Sequence, residues 1–155
     1  MRSPWLRAGL VLVLVLLLDQ VTKALVRSRV DLGSVDPIFP AVELVHVRNR
    51  GVAFGAFADG QAVVVAVIAI ALVALTAYFA THLRRHLVWL PTGLLMGGAL
   101  GNVIDRVRDG AVTDFIKLPA WPAFNLADMA ITFGVLALLY VVERGPEDDE
   151  VPRPA

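Results

Sequence analysis

The chain has 155 residues, 57% hydrophobic and 18% charged, with a mean hydropathy of +0.71, against roughly 45–50% apolar and about 25% charged in an ordinary soluble domain. That excess excludes disorder, argues against a soluble fold and is compatible with a single domain at this length. Fourteen basic against fourteen acidic residues leave no polybasic patch for nucleic acid, and the lack of any Cys removes disulfides, thiolate metal sites and Cys nucleophiles.

A spanning helix needs about 20 mostly apolar residues. The first candidate covers residues 8–26. Its apolar core, 8–18, is short and reaches spanning length only by including Asp19, Gln20 and Lys23. Arg2 and Arg7 before that core also suit a cleavable signal peptide, but no small-x-small cleavage site follows. A retained helix is therefore expected. The connection from Ser28 to Gln61 contains Val42, Leu44 and Val45-His46-Val47, which predict a short strand or two at the membrane surface.

The second span, 62–80, holds no charge at all. A short basic turn, 81–86, leads to the third span, 87–104, where Gly93, Gly97 and Gly101 recur every four residues. Such a stripe lets another helix backbone come close. Residues 105–123 read as a loop bent by Pro119 and Pro122, and the fourth span is 124–142. The expected unit is one membrane-embedded domain, 1–145, followed by a disordered acidic and Pro-rich tail, 146–155. Four spans put both termini on one side. Six basic residues fall on each side, with Lys23 and Arg27 near an outer helix end, so charge does not orient the chain.

Acids inside spans are costly and mark function. Laying the helices antiparallel sends Asp19, Asn102, Asp105, Asp114, Asn125 and Asp128 to one side, with Asn49 in the long loop beside them. The opposite ends show no comparable cluster. Each residue also has a structural reading. Asn125 and Asp128 suit a capping box, and Asp105 beside Arg106 and Arg108 suits a local ion pair. Asp19 and Lys23 suit an i,i+4 salt bridge, and Asp114 suits a solvated loop acid.

Two carboxyls held close share one proton. The ionised member can activate water while the protonated one polarises a carbonyl, which is hydrolysis without metal or covalent intermediate. Asp114 and Asp128 are the candidate pair. Rival chemistries lack their parts. Ser28 has no motif around it, His82 and His86 have no evident third metal ligand, and no phosphate-binding glycine loop occurs. No metal and no cofactor is expected. The chief rival is a small transporter or channel subunit, whose acids should be spread through the bilayer depth. A non-catalytic assembly factor is a weaker one.

Five blocks then carry a resemblance: Asp19-Gln20-Val21-Thr22-Lys23, Asn49-Arg50-Gly51-Val52-Ala53-Phe54-Gly55, Gly97 through Arg106, Val112-Thr113-Asp114-Phe115-Ile116 and Phe124-Asn125-Leu126-Ala127-Asp128. Each alone is weak. In this order, across most of the chain, they resemble the bacterial lipoprotein signal peptidases, type II. The resemblance implies a mainly α, integral membrane, four-helix bundle with a small β-rich cradle on the extracytoplasmic face. It implies an aspartic endopeptidase of the bacterial inner membrane with both termini cytoplasmic. Its substrates would be prolipoproteins, cut just before a Cys already carrying diacylglycerol, and membrane lipids would surround it. It carries the catalytic dyad to Asp114 and Asp128, and substrate-binding positions to Asn49, Asn102, Asp105, Arg106 and Asn125. Asp19 and Lys23 match with a supporting role.

Overall fold

In the computed structural model, residues 3–50 and 60–144 are described. Part of the second block, Gly51 to Gly55 with Phe54, and the tail 146–155 lie outside them.

Four helices and a three-stranded sheet follow in the order α1 (Pro4–Arg29), β1 (Val35–Phe39), β2 (Val42–Asn49), α2 (Gly60–Thr81), α3 (Trp89–Asp109), β3 (Val112–Lys117) and α4 (Leu126–Glu143). The helices begin and end where caps dictate. α1 starts before the expected residue 8 because the Ser3 hydroxyl accepts from the Leu6 amide and Pro4 suits the first turn. α3 runs past the expected residue 104. Arg106 and Arg108 favour its negative C-terminal end, and Gly110 stops it with a φ of 70°.

The exterior is apolar and the interior polar. Leu10, Leu14, Leu17 and Val21 on α1, Val67 and Ile70 on α2, and Phe133 and Leu136 on α4 are all about half exposed or more. Asp19, Lys23, Asn102, Asp105, Asp114 and Asn125 are buried. Water would penalise that inversion, and hydrocarbon accommodates it. α1, α2 and α4 are long and apolar enough to cross a membrane. α3, at 21 residues, has the length but not the composition. The four expected spans correspond to these four helices, and the less apolar composition of α3 has a packing cause. α3 lies between α1 and α4, so glycine and polar residues replace lipid-facing ones on most of its surface.

The glycines set the helix directions. A Cβ on Gly93 would stand 2.7 Å from the Ala8 carbonyl, and one on Gly97 2.9 Å from that of Leu12, so α1 runs parallel to α3. A Cβ on Gly98 would stand 2.5 Å from the Ala127 carbonyl, while Gly134 faces Leu94 and Leu95. α4 is therefore antiparallel to both. At the other end Ala8, Phe79, Val88 and Val141 form an apolar plug with Trp89.

The sheet is antiparallel with order β1-β2-β3. β1 and β2 fall where strands were expected. β3 was expected to be loop. It forms because Val112 to Ile116 is β-prone and meets β2 in register, Val47 opposite Asp114 and Asn49 opposite Val112. A bridge between Ile116 and Phe124 then closes the proline-bent loop, which delivers Asn125 beside β3.

Candidate active site

The C-terminal ends of α1 and α3, the start of α4 and the sheet all meet at one end of the bundle. Asp114 arrives on β3 and Asp128 in the first turn of α4. Asn125 joins them. Its Nδ2 donates to Asp114 Oδ1 at 2.7 Å, and its backbone N–H donates to Asp128 Oδ2 at 3.1 Å. The Asp128 amide returns a bond to Asn125 Oδ1 at 3.0 Å, completing the capping box. The capping and catalytic readings of these residues thus coexist in one geometry.

Asn102, buried on α3, binds the same centre. Its Nδ2 donates to Asp128 Oδ1 at 2.8 Å, and its Oδ1 accepts from Asn125 Nδ2 at 3.2 Å. Asn49 approaches from β2. It stands diagonally across the ladder from Asp114, and its Nδ2 donates to Asp114 Oδ2 at 2.8 Å. Four N–H donors therefore address the two carboxyls.

Asp114 is 1% exposed, not a solvated loop acid. Burial, the largest influence, pushes its carboxyl up to about 6; the Asn49 bond opposes this, the Asp128 charge adds to it, and Asn125 and Lys23 oppose it. Asp128 is half-buried.

Beneath the two carboxyls lies a charged layer. Lys23 is fully buried, 2.9 Å from Asp19 and 3.2 Å from Asp105, and donates to Asn102 Oδ1 at 2.9 Å. Asp19 Oδ1 accepts from the Ala127 amide at 3.0 Å, so α1 caps the start of α4 as well. Asp105 was assigned to substrate contact, yet it is 0% exposed. Its oxygens take Lys23, the Gln20 amide at 3.2 Å and the Thr113 backbone N–H at 3.2 Å, which fixes β3 just before Asp114. Its ion partners lie on α1, Lys23 and Arg27, and not on its own helix. Asn125 is likewise 0% exposed, and among the described residues its side chain donates to Asp114 and Asn102 and accepts from the Asp128 amide. Arg106 is half-buried one turn beyond Asn102, and its Nη1 donates to the Asn102 carbonyl at 3.2 Å.

Sequence reasoning gave no role to Gln20, Arg27 or Thr113. Gln20 Nε2 bridges Asp19, Asp105 and the Gly101 carbonyl, and Arg27 donates to Thr113 Oγ1 at 3.1 Å. The available signal was Asp19, Lys23 and Arg27 at every fourth position, one polar stripe on an apolar helix. His82 sits at the far end, stacked on Tyr78, and among the described residues no three metal-ligating side chains converge.

A model of the signal peptidase (SPase) II family matches residues 11–143. The chain belongs to the signal peptidase II family. The lipoprotein signal peptidase of Moorella thermoacetica is 43% identical over 133 residues, covering 84% of this chain and 89% of that protein. That of Halothermothrix orenii is 38% identical, covering 85% and 92%. Two solved structures of bacterial membrane enzymes share the fold. One superposes with a TM-score of 0.83 at 28% identity, covering 96% of this chain and 94% of the other. The second gives 0.80 at 31% identity, covering 87% and 91%. A signal peptidase II fold accounts for the polar layer at one end of an otherwise apolar bundle.

Proposed function

We propose that this chain removes the signal peptide from prolipoproteins as an aspartic endopeptidase, with Asp114 and Asp128 as its dyad. The observation that carries the reading is the shared amide, Asn125, which holds two carboxyls from separate elements at one centre. The scissile bond precedes a diacylglyceryl-modified Cys, whose acyl chains stay in the bilayer. The protein lies in the bacterial inner membrane with both termini cytoplasmic and the dyad near the outer face.

An apolar cavity of about 310 Å3 supports the substrate assignment. It opens between α2, at Val67, Ala71 and Leu75, and α3 and α4, at Leu95, Ala99 and Ile131. Ala99 is three residues from Asn102, which donates to Asp128, and Ile131 is three from Asp128 itself, so each lies one helical turn from a residue of the centre on the same helix face. An apolar segment held there ends at the carboxyls.

The chemistry follows from the charge states. The ionised carboxyl takes a proton from water, and the resulting hydroxide attacks the scissile carbonyl carbon. The protonated carboxyl gives its proton to the carbonyl oxygen. Collapse of the tetrahedral intermediate breaks the C–N bond, the proton taken from water passes to the leaving amine, and the proton on the former carbonyl oxygen returns to the carboxyl that gave it. The pair shares the proton as a unit.

A transporter would spread its acids through the bilayer depth, whereas these gather at one end. The test is cleavage of a diacylated precursor by the purified protein, with and without chelator. Cleavage is expected in both, and Asp114→Asn and Asp128→Asn each abolish it while the protein remains folded in the membrane. Substantial activity in either variant removes the dyad assignment, and loss with chelator removes the metal-free scheme.

A further inference from the structure

A second cavity, of about 290 Å3, is lined by Arg27, Leu32, His46, Arg48, Asp109 and Thr113. None of the residues that touch the dyad lines it. Thr113 and Asp114 are neighbours on β3 and therefore face opposite sides of the sheet. Arg48 stands opposite Thr113 in the ladder, so the cavity lies on the sheet face turned away from Asp114.

Its walls come from four elements, the last turn of α1, strands β2 and β3 and the last residue of α3, with Leu32 from the loop after α1. Two guanidiniums enter it and face one carboxylate, Asp109, which Arg108 already holds at 2.7 Å. Arg27 Nη1 donates to Thr113 Oγ1 at 3.1 Å and lies 3.7 Å from Asp105 Oδ1 and 3.9 Å from Asp109 Oδ2, and Arg48 spends Nη2 on the Asp109 carbonyl. Each guanidinium carries five N–H donors, so both keep donors for an anion. His46, 8% exposed, is fixed by donating Nδ1–H to the Val30 carbonyl at 2.8 Å and forms a rigid wall.

Depth identifies the anion. The apolar course of α1 ends at Leu25 and Val26 and gives way to Arg27, Ser28 and Arg29, which places the cavity where hydrocarbon meets headgroups. Leu32, 64% exposed, adds an apolar contact for the glyceride. We propose that this cavity binds the phosphate of an anionic phospholipid headgroup between Arg27 and Arg48. Occupancy ties α1 to β2, the strand that pairs with the one bearing Asp114.

The test uses the full chain in neutral detergent, titrated with short-chain phosphatidylglycerol, short-chain phosphatidylcholine or inorganic phosphate while thermal unfolding is followed. Phosphatidylglycerol is expected to raise the Tm, and the other two to leave it nearly unchanged. Arg48→Gln should need about tenfold more phosphatidylglycerol for the same shift, the loss expected of one charge-assisted hydrogen bond. Asp109→Asn, which removes the acid that lines the cavity among the described residues, should need less. That opposite sign is one a purely structural role does not produce. Equal shifts with phosphatidylcholine, or an unchanged midpoint in Asp109→Asn, overturn the proposal. An equal shift with inorganic phosphate assigns the site to the free ion and overturns the lipid.

Discussion

The ammonium of Lys23 stands 2.9 Å from Oδ1 of Asn102, and this contact decides which way the Asn102 carboxamide points. An ammonium only donates, so it takes the oxygen and leaves Nδ2 facing Asp128 at 2.8 Å. Asn125 adds a second donor to the same oxygen. A buried cation on α1 thereby orients a donor that serves a carboxyl on α4. The same ammonium offsets Asp19 and Asp105, so one side chain both balances the layer and aligns the centre above it.

Removing that cation leaves Asp19 buried without a counter-charge and Asp105 with Arg27 alone, 3.7 Å away. Lys23→Met is expected to destabilise the fold by about 3–5 kcal/mol, the cost of breaking a buried ion pair on one side. Lys23→Met with Asp105→Asn should cost less than the two single changes added together. Thermal unfolding of the four proteins in detergent checks the cycle, and an additive result removes the coupling.

Asp114 gives the activity a pH signature. Its proton is held to about pH 6 in the folded protein, above the ordinary value of 3.8. Ionisation on raising the pH gives two charged carboxyls and no proton donor, so activity should fall along an alkaline limb reporting the pair. The linked stability has the same sign. The folded state binds this proton more tightly than the unfolded chain, so stability falls as pH rises from about 4 through 6. Asn49→Ala removes a donor that favours the charged form. The limb in that variant should therefore move to higher pH. A limb that moves down, measured as kcat/KM against pH, contradicts the role given to Asn49.

Two glycines with opposite surroundings test the helix packing. Gly98→Ala places a methyl 2.5 Å from the Ala127 carbonyl and forces α3 away from α4. An overpacking cost of about 1–3 kcal/mol is expected, together with lost activity, because Ala127 adjoins Asp128. Gly9→Ala meets nothing within 4 Å and should leave the protein unchanged or more stable by up to about 1 kcal/mol. Melting temperature and cleavage rate of the two variants decide the matter.

Much of this was legible in the chain itself. Runs of apolar residues locate helices because hydrocarbon sets their length, and a repeat of glycine every fourth position announces a close helix contact. The gathering of Asp19, Asn102, Asp105, Asn125 and Asp128 at one end follows from counting helices. Local grammar also places the start of α4, since Asn125 and Asp128 stand at capping distance. α3 was readable as a helix but not as the central one, because its composition reflects neighbours that the sequence does not name.

What lay beyond the sequence was every relation between distant segments. Asp114 has no local partner, and its strand exists only because β2, some 65 residues earlier, pairs with it and supplies Asn49. Asp105 reads as an ion pair with Arg106 or Arg108, yet it turns to Lys23 and Arg27 on α1. A charge buried away from water must be met by whichever opposite charge packs against it, and packing, not spacing, selects that partner.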